Sequence, residues 1–79
     1  MKLPVIKSLA ETCNLEMLRE AEQALLNEEK PSFEIGGDDE GEQLTHVLAA
    51  IQILELVQQG TELRQAIRQY TERVRKSIS

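Results

Sequence analysis

Residues 44–59 read LTHVLAAIQILELVQQ, and the fold depends on how this run is arranged. At about 100° per residue on a helix, Leu44, Val47, Leu48, Ile51 and Leu54 share one face. Ala49, Ile53 and Leu56 lie on the opposite side, with Ala50 and Val57 between them. Only the line through Thr45, Gln52 and Gln59 is polar throughout. A helix that is apolar almost all round belongs inside a packed structure, because leaving either face wet forfeits several side chains at about 1.5–3 kcal/mol each. The pattern predicts a central helix over residues 39–59, roughly 30 Å long at about 1.5 Å per residue, closed by Gly60 in the position that favours glycine. The other helices of so short a chain are expected to cover only part of it, so its second face is expected to meet another copy. The candidate dimer surface is therefore Leu44, Val47, Leu48, Ile51, Ile53, Leu54, Leu56 and Val57.

The rest of the chain reads as helix around this centre, in a single domain spanning residues 1–79. Pro4 suits the start of a helix, where its missing N–H costs nothing, and Val5, Ile6, Leu9 and Cys13 fall on one face of a helix over residues 4–12. Asn14 is an N-cap residue type, and a second segment, residues 15–29, carries Leu18, Ala21 and Leu25 as its stripe, with Leu15 and Leu26 as further candidates, before Pro31 ends it. Whether these two segments are separate helices or one bent helix is open at this level. Residues 31–38 form a linker in which Phe33 and Ile35 can fold back over a core edge. A fourth helix over residues 62–77, capped by Thr61, presents Leu63, Ala66, Ile67, Tyr70, Val74 and Ile78 on one side. The two-residue connection Gly60-Thr61 makes the last two helices neighbours in a hairpin. The expected class is all-α, a small bundle of three to four helices completed by dimerisation.

Composition narrows the means of stabilising such a domain. A chain of 79 residues buries only roughly 60–65% of the surface its unfolded form exposes, which leaves little stability in reserve. Cys13 is the only cysteine and His46 the only histidine, so neither an internal disulfide nor a Cys/His zinc site can supply more. Self-association is the remaining device. No apolar run approaches the roughly 20 residues of a spanning helix, and the start of the chain lacks a signal-type apolar core; a cytoplasmic protein is expected. The net charge is −5, with four basic and eleven acidic groups in residues 1–42 against five basic and three acidic in residues 43–79. The acidic half disfavours a polyanionic partner for the chain as a whole.

The stretch EIGGDDEGEQ, residues 34–43, carries the densest set of liganding groups. As a calcium loop with Gly41 at the turn, it would need acceptors at positions occupied by Gly36 and Val47, so an EF-hand is excluded. Gly36 and Gly41 have the spacing of a phosphate loop, yet Glu42 and Gln43 stand where Lys and Ser or Thr are required. The reading that remains is punctuation: a glycine turn, Asp38 or Asp39 as cap of the central helix, and acids favourably placed at its positive end. Cys13 has no second thiol near it and reads as a small apolar residue. His46 has neither nucleophile nor orienting group beside it in sequence and reads as a partly exposed helix histidine. No catalytic residue, cofactor or metal is expected, and the chain is not expected to be an enzyme.

Arg64, Arg68 and Arg75 share one side of the last helix. They form the candidate stripe for an anionic partner, either nucleic acid or an acidic protein, although cations near a helix C-terminus also complement its dipole. The opening MKLPVIK, the acidic stretch before an apolar helix, and the ending GTELRQAIRQYTERVRKSI resemble a family of short helical proteins of unknown function from Bacteroidetes-type bacteria. The similarity covers most of the chain and is strongest at its two ends. It implies a small, cytoplasmic, all-helical bacterial protein and transfers no functional residue. The leading expectation is a non-enzymatic homodimeric interaction or structural module; the alternative is a regulator acting through the arginine stripe.

Overall fold

The computed structural model describes residues 2–78. It holds four helices: α1 (Leu3–Thr12), α2 (Leu15–Leu26), α3 (Glu40–Gln58) and α4 (Leu63–Ile78). No strand occurs among the described residues. The helix α3 is the centre of the molecule, as its all-round apolar sequence requires. The helices α1, α2 and α4 each pack against it, and no other pair of helices packs as extensively.

Two core regions lie on opposite flanks of α3. On one, Val47 and Ala50 meet Leu18, Ala21 and Leu25 of α2, Leu9 of α1 and Ile35 of the connection. On the other, Ala49 and Ile53 meet Ile6 and Ala10 of α1 and Ala66 of α4. The second flank, expected to await another copy, is thus covered from within the chain. The physical reason is side-chain size: Ala49, Ala50, Ala10 and Ala66 are all buried, and small residues at the contact let helix axes approach closely. One hairpin helix then reaches a flank that helix counting had left open. Val47 and Ile53 are both 0% exposed in the single chain, which corrects their place in a dimer surface.

Local chemistry sets the boundaries. Cys13 and Asn14 are both extended, and the Asn14 side chain accepts from the Met17 N–H at 2.8 Å, so α1 and α2 are separate helices. The helix α2 ends at Leu26 rather than at residue 29. Glu28 adopts a φ of 59°, while the Glu29 N–H donates to the Ala24 carbonyl at 2.7 Å and the Glu28 N–H to the Leu25 carbonyl at 3.2 Å. This is the paired bonding of a Schellman stop, with glutamate where glycine is usual. The same pair closes α3, from Thr61 to Leu56 and from Gly60 to Val57, here with Gly60 at φ 106°. In α4 the first intrahelical bond, from the Ala66 N–H, goes to the Glu62 carbonyl, so Glu62 and not Thr61 holds the N-cap position. Phe33 and Ile35 fold back onto the first core region as expected, Ile35 being only 6% exposed.

The directions of the helices follow from the contacts. Lys2 lies beside His46, and Ile6 and Ala10 meet Ala49 and Ile53, so α1 runs parallel to α3. After the break at Cys13 the chain returns along α2, whose Arg19 reaches Glu55 near the far end of α3 (3.8 Å). The helix α4 returns antiparallel on the other flank. The Cα framework measures 32 × 29 × 17 Å, about two packed helix layers thick. In such a slab the central helix keeps one side free of neighbours.

Candidate functional site

The free side of α3 is the line that includes its polar residues. Thr45, Leu48, Gln52, Glu55 and Gln59 are all exposed, flanked by α2 on one side and α4 on the other. Between α3 and α4 runs a shallow groove of about 340 Å³ lined by Gln52, Glu55, Leu56, Gln59, Tyr70 and Arg73. Burial in this wall pushes the Tyr70 phenol above its ordinary value. On the other border, the exposed Arg19–Glu55 pair at 3.8 Å marks the antiparallel register that the packing of Leu18, Ala21 and Leu25 against α3 sets. Leu26 lies two turns further along α2 from Arg19, and Leu48 two turns back along α3 from Glu55. These are among the most exposed large apolar side chains, at 58% and 39%.

Of the residues expected to form a dimer surface, Leu48 is exposed, Val47 and Ile53 are buried and the other five are half-buried. Leu44, Ile51 and Leu54 pack onto the first core region, and Leu54, Leu56 and Val57 onto the second. Leu26, a candidate for the apolar stripe of α2 in the sequence, is left exposed instead. Arg64, Arg68 and Arg75 are all exposed, on the side of α4 away from its apolar stripe. No side-chain hydrogen bond or ion pair among the described residues engages them. The Ile78 side chain, expected at the end of that stripe, lies outside the described residues.

The acidic stretch does the work of capping. Asp39 accepts from the Glu42 N–H at 2.7 Å, and the Glu42 carboxylate reaches back to the Asp38 N–H at 3.3 Å. The pattern is close to a capping box. Lys2 Nζ adds ion pairs at 3.5 Å to Asp38 and 3.9 Å to Glu42, both on the surface. Gly37, at φ 150° with no room for a Cβ beside Gln43, makes the turn into the helix. No group of three or more metal-binding side chains occurs among the described residues. Cys13 is half-buried against the first core region.

His46 departs from its expected setting. It is 0% exposed, the one buried polar residue among those described. The Lys2 N–H donates to its Nε2 at 2.9 Å, so Nε2 carries no proton. The proton of the neutral ring therefore sits on Nδ1 and is donated to the Gly36 carbonyl, 2.7 Å away. The signal was present in the sequence: His46 is aligned with Ala50, Ile53 and Val57 at i+4, i+7 and i+11, a core line of the helix.

Fold and surface together define a small all-α protein built on one central helix, with an open three-helix side. The chain belongs to DUF6952, a family of unknown function whose model matches residues 1–79. No curated protein and no solved structure matches it.

Proposed function

We propose that this protein is a non-enzymatic interaction module whose working form is a homodimer joined through the open α2–α3–α4 side. The observation that carries the reading is the exposure of Leu26 and Leu48, 58% and 39%, on the two adjacent helices α2 and α3. Surface area supports it. A compact monomer of 9.0 kDa is expected to expose about 4,900 Å², whereas this chain exposes 5486 Å². The excess, about 600 Å², approaches the roughly 800 Å² per partner of a standard interface. The bordering charges of Arg19, Glu55 and Arg73 suit the polar rim that such interfaces carry. The reading includes a cytoplasmic setting, which the lone unpaired thiol of Cys13 supports.

Light scattering coupled to size exclusion tests it. A dimer is expected at micromolar concentration, and the double variant Leu26→Glu, Leu48→Glu is expected to be a monomer of unchanged helicity. A wild-type chain that stays monomeric at high micromolar concentration overturns the reading.

The exposed arginine stripe favours a second one, in which Arg64, Arg68 and Arg75 bind an acidic partner, protein or nucleic acid. Spaced at i, i+4 and i+11 on α4, they span roughly 16 Å of helix. The chain's net charge of −5 weighs against nucleic acid. This reading requires binding that weakens with salt and on Arg68→Ala; no binding at low salt refutes it.

A further inference from the structure

The turn between α3 and α4 preserves a register that a helical hairpin does not require. Ile53 and Leu56 of α3, Gly60 of the turn, and Leu63, Ile67 and Tyr70 of α4 follow one another at alternating steps of three and four residues. Ala49 before them and Val74 after them keep the same step. That alternation lines side chains along one seam of a continuous helix. A hairpin needs an apolar stripe on each of its helices, but the break between them leaves the relative phase of the two stripes free. Here the phase is kept across the break.

The break itself is small. Only residues 59–62 separate the two helices, and Gln59 already has a helical backbone, at φ −78° and ψ −1°. No proline follows Pro31. The stop rests on Gly60 at φ 106°, and a Cβ built there would meet nothing within 4 Å, so the glycine is required by backbone conformation and not by crowding. The helix α4 packs extensively against α3 alone, and Leu56, Leu63, Ile67 and Tyr70 close over one core region with Ile53. Short hinge loops between elements that depend on each other in this way invite exchange between copies.

We propose that the α3–α4 hairpin is an exchange joint: residues 59–62 join the two helices into one straight helix over residues 40–78, and its α4 takes the place of α4 on the α3 of a second copy. The occupant is another copy of this chain because the flank of α3 that receives it is shaped for α4. Each contact of Ile53 with α4 in the hairpin reforms between chains, once in each direction. The straightened helices, each about 58 Å long at about 1.5 Å per residue, lie antiparallel about a two-fold axis at Gly60, where the seam carries no side chain. The helices α1 and α2 stay on the α3 of their own chain. Exchange therefore alters the conformation of one turn and the number of chains, and leaves the core as it is. The closed hairpin is the resting form in dilute solution, since it keeps the same contacts without tying two chains together. Exchange is favoured where chains refold close to one another. It is independent of the Leu26 and Leu48 surface, which lies on the open side of the molecule.

Refolding in the Leu26→Glu, Leu48→Glu background, which removes the face-to-face dimer, tests the joint separately from that dimer. The full chain is unfolded in urea, refolded at low and at high micromolar concentration, diluted, and passed at once through size exclusion with light scattering. A dimer of native helicity should form in the concentrated sample and outlast dilution, because the chains separate only when α4 leaves its site. Gly60→Ala sets an ordinary side chain at a left-handed φ and a methyl group on the seam, and should raise the dimer fraction several-fold. A Gly-Ser insertion after Gly60 leaves the hairpin free to close but turns the two halves of the seam about 200° apart in a straight helix, and should abolish the dimer. If Gly60→Ala fails to fold, the comparison of the natural hinge with the insertion decides the matter. A natural-hinge chain that refolds only to monomer at high concentration, or a dimer that the insertion leaves unchanged, overturns the exchange.

Discussion

Ile53→Ala decides whether the second flank of α3 is internal core. Ile53 is 0% exposed and sits among Ile6, Ala10, Ala49 and Ala66. The substitution removes three carbon groups, worth about 2.4 kcal/mol at about 0.8 kcal/mol each. The residual cavity raises the loss to about 3–4 kcal/mol, and the better helix propensity of alanine returns about 0.4 kcal/mol. A chain of 79 residues has a stability of roughly 4–12 kcal/mol at the usual 0.05–0.15 kcal/mol per residue. A net loss of about 3 kcal/mol is thus a large part of the whole, and Tm should fall by about 12–24 °C. The assay is urea unfolding followed by circular dichroism at two protein concentrations about a hundredfold apart. Because the partners of Ile53 belong to its own chain, the deficit relative to wild type should be the same at both. A loss below about 1 kcal/mol, or one that disappears on dilution, would refute the reasoning and return Ile53 to an interface between copies.

Other substitutions test the local chemistry. Asn14→Ala removes the side-chain acceptor of the Met17 N–H and should cost about 1 kcal/mol in chemical unfolding. Glu28→Gly relieves a non-glycine residue at φ 59°; it should stabilise the protein by up to about 1 kcal/mol, and a loss of stability would show that the Glu28 side chain contributes more than its backbone costs. Alkaline unfolding should depend on Tyr70, whose phenol is pushed up by burial. The folded state then binds the proton more tightly than the unfolded chain, so this contribution is fully present below about pH 10 and is lost as the pH rises above it. Tyr70→Phe should flatten that decline.

The central helix was legible because apolar residues on all sides leave it only one place to go. Asn14 announced the break between α1 and α2, and the glycines and acids of residues 36–42 announced the turn and cap of α3. Three features escaped. The end of α2 rests on Glu28 in a left-handed conformation, for which glutamate gives no sequence signal. The coverage of α3 from within rests on alanines whose contribution is closeness rather than bulk, so counting large side chains overstated the surface left for a partner. His46, expected to be partly exposed, is fully buried on a core line, and the Lys2 N–H and Gly36 carbonyl that satisfy it are backbone groups 44 and 10 residues away, beyond the reach of local sequence reasoning.

Three outer helices attached to one axle, and hardly to each other, make the molecule a hub with separate spokes. Damage to α2 at Leu18 and damage to α4 at Ala66 fall on opposite flanks of α3, and such losses are expected to sum to within about 0.5 kcal/mol. Within the family, an outer helix can therefore change its surface without obliging the other two to change with it. Only α3 lacks that liberty, since its buried sides answer to all three outer helices at once.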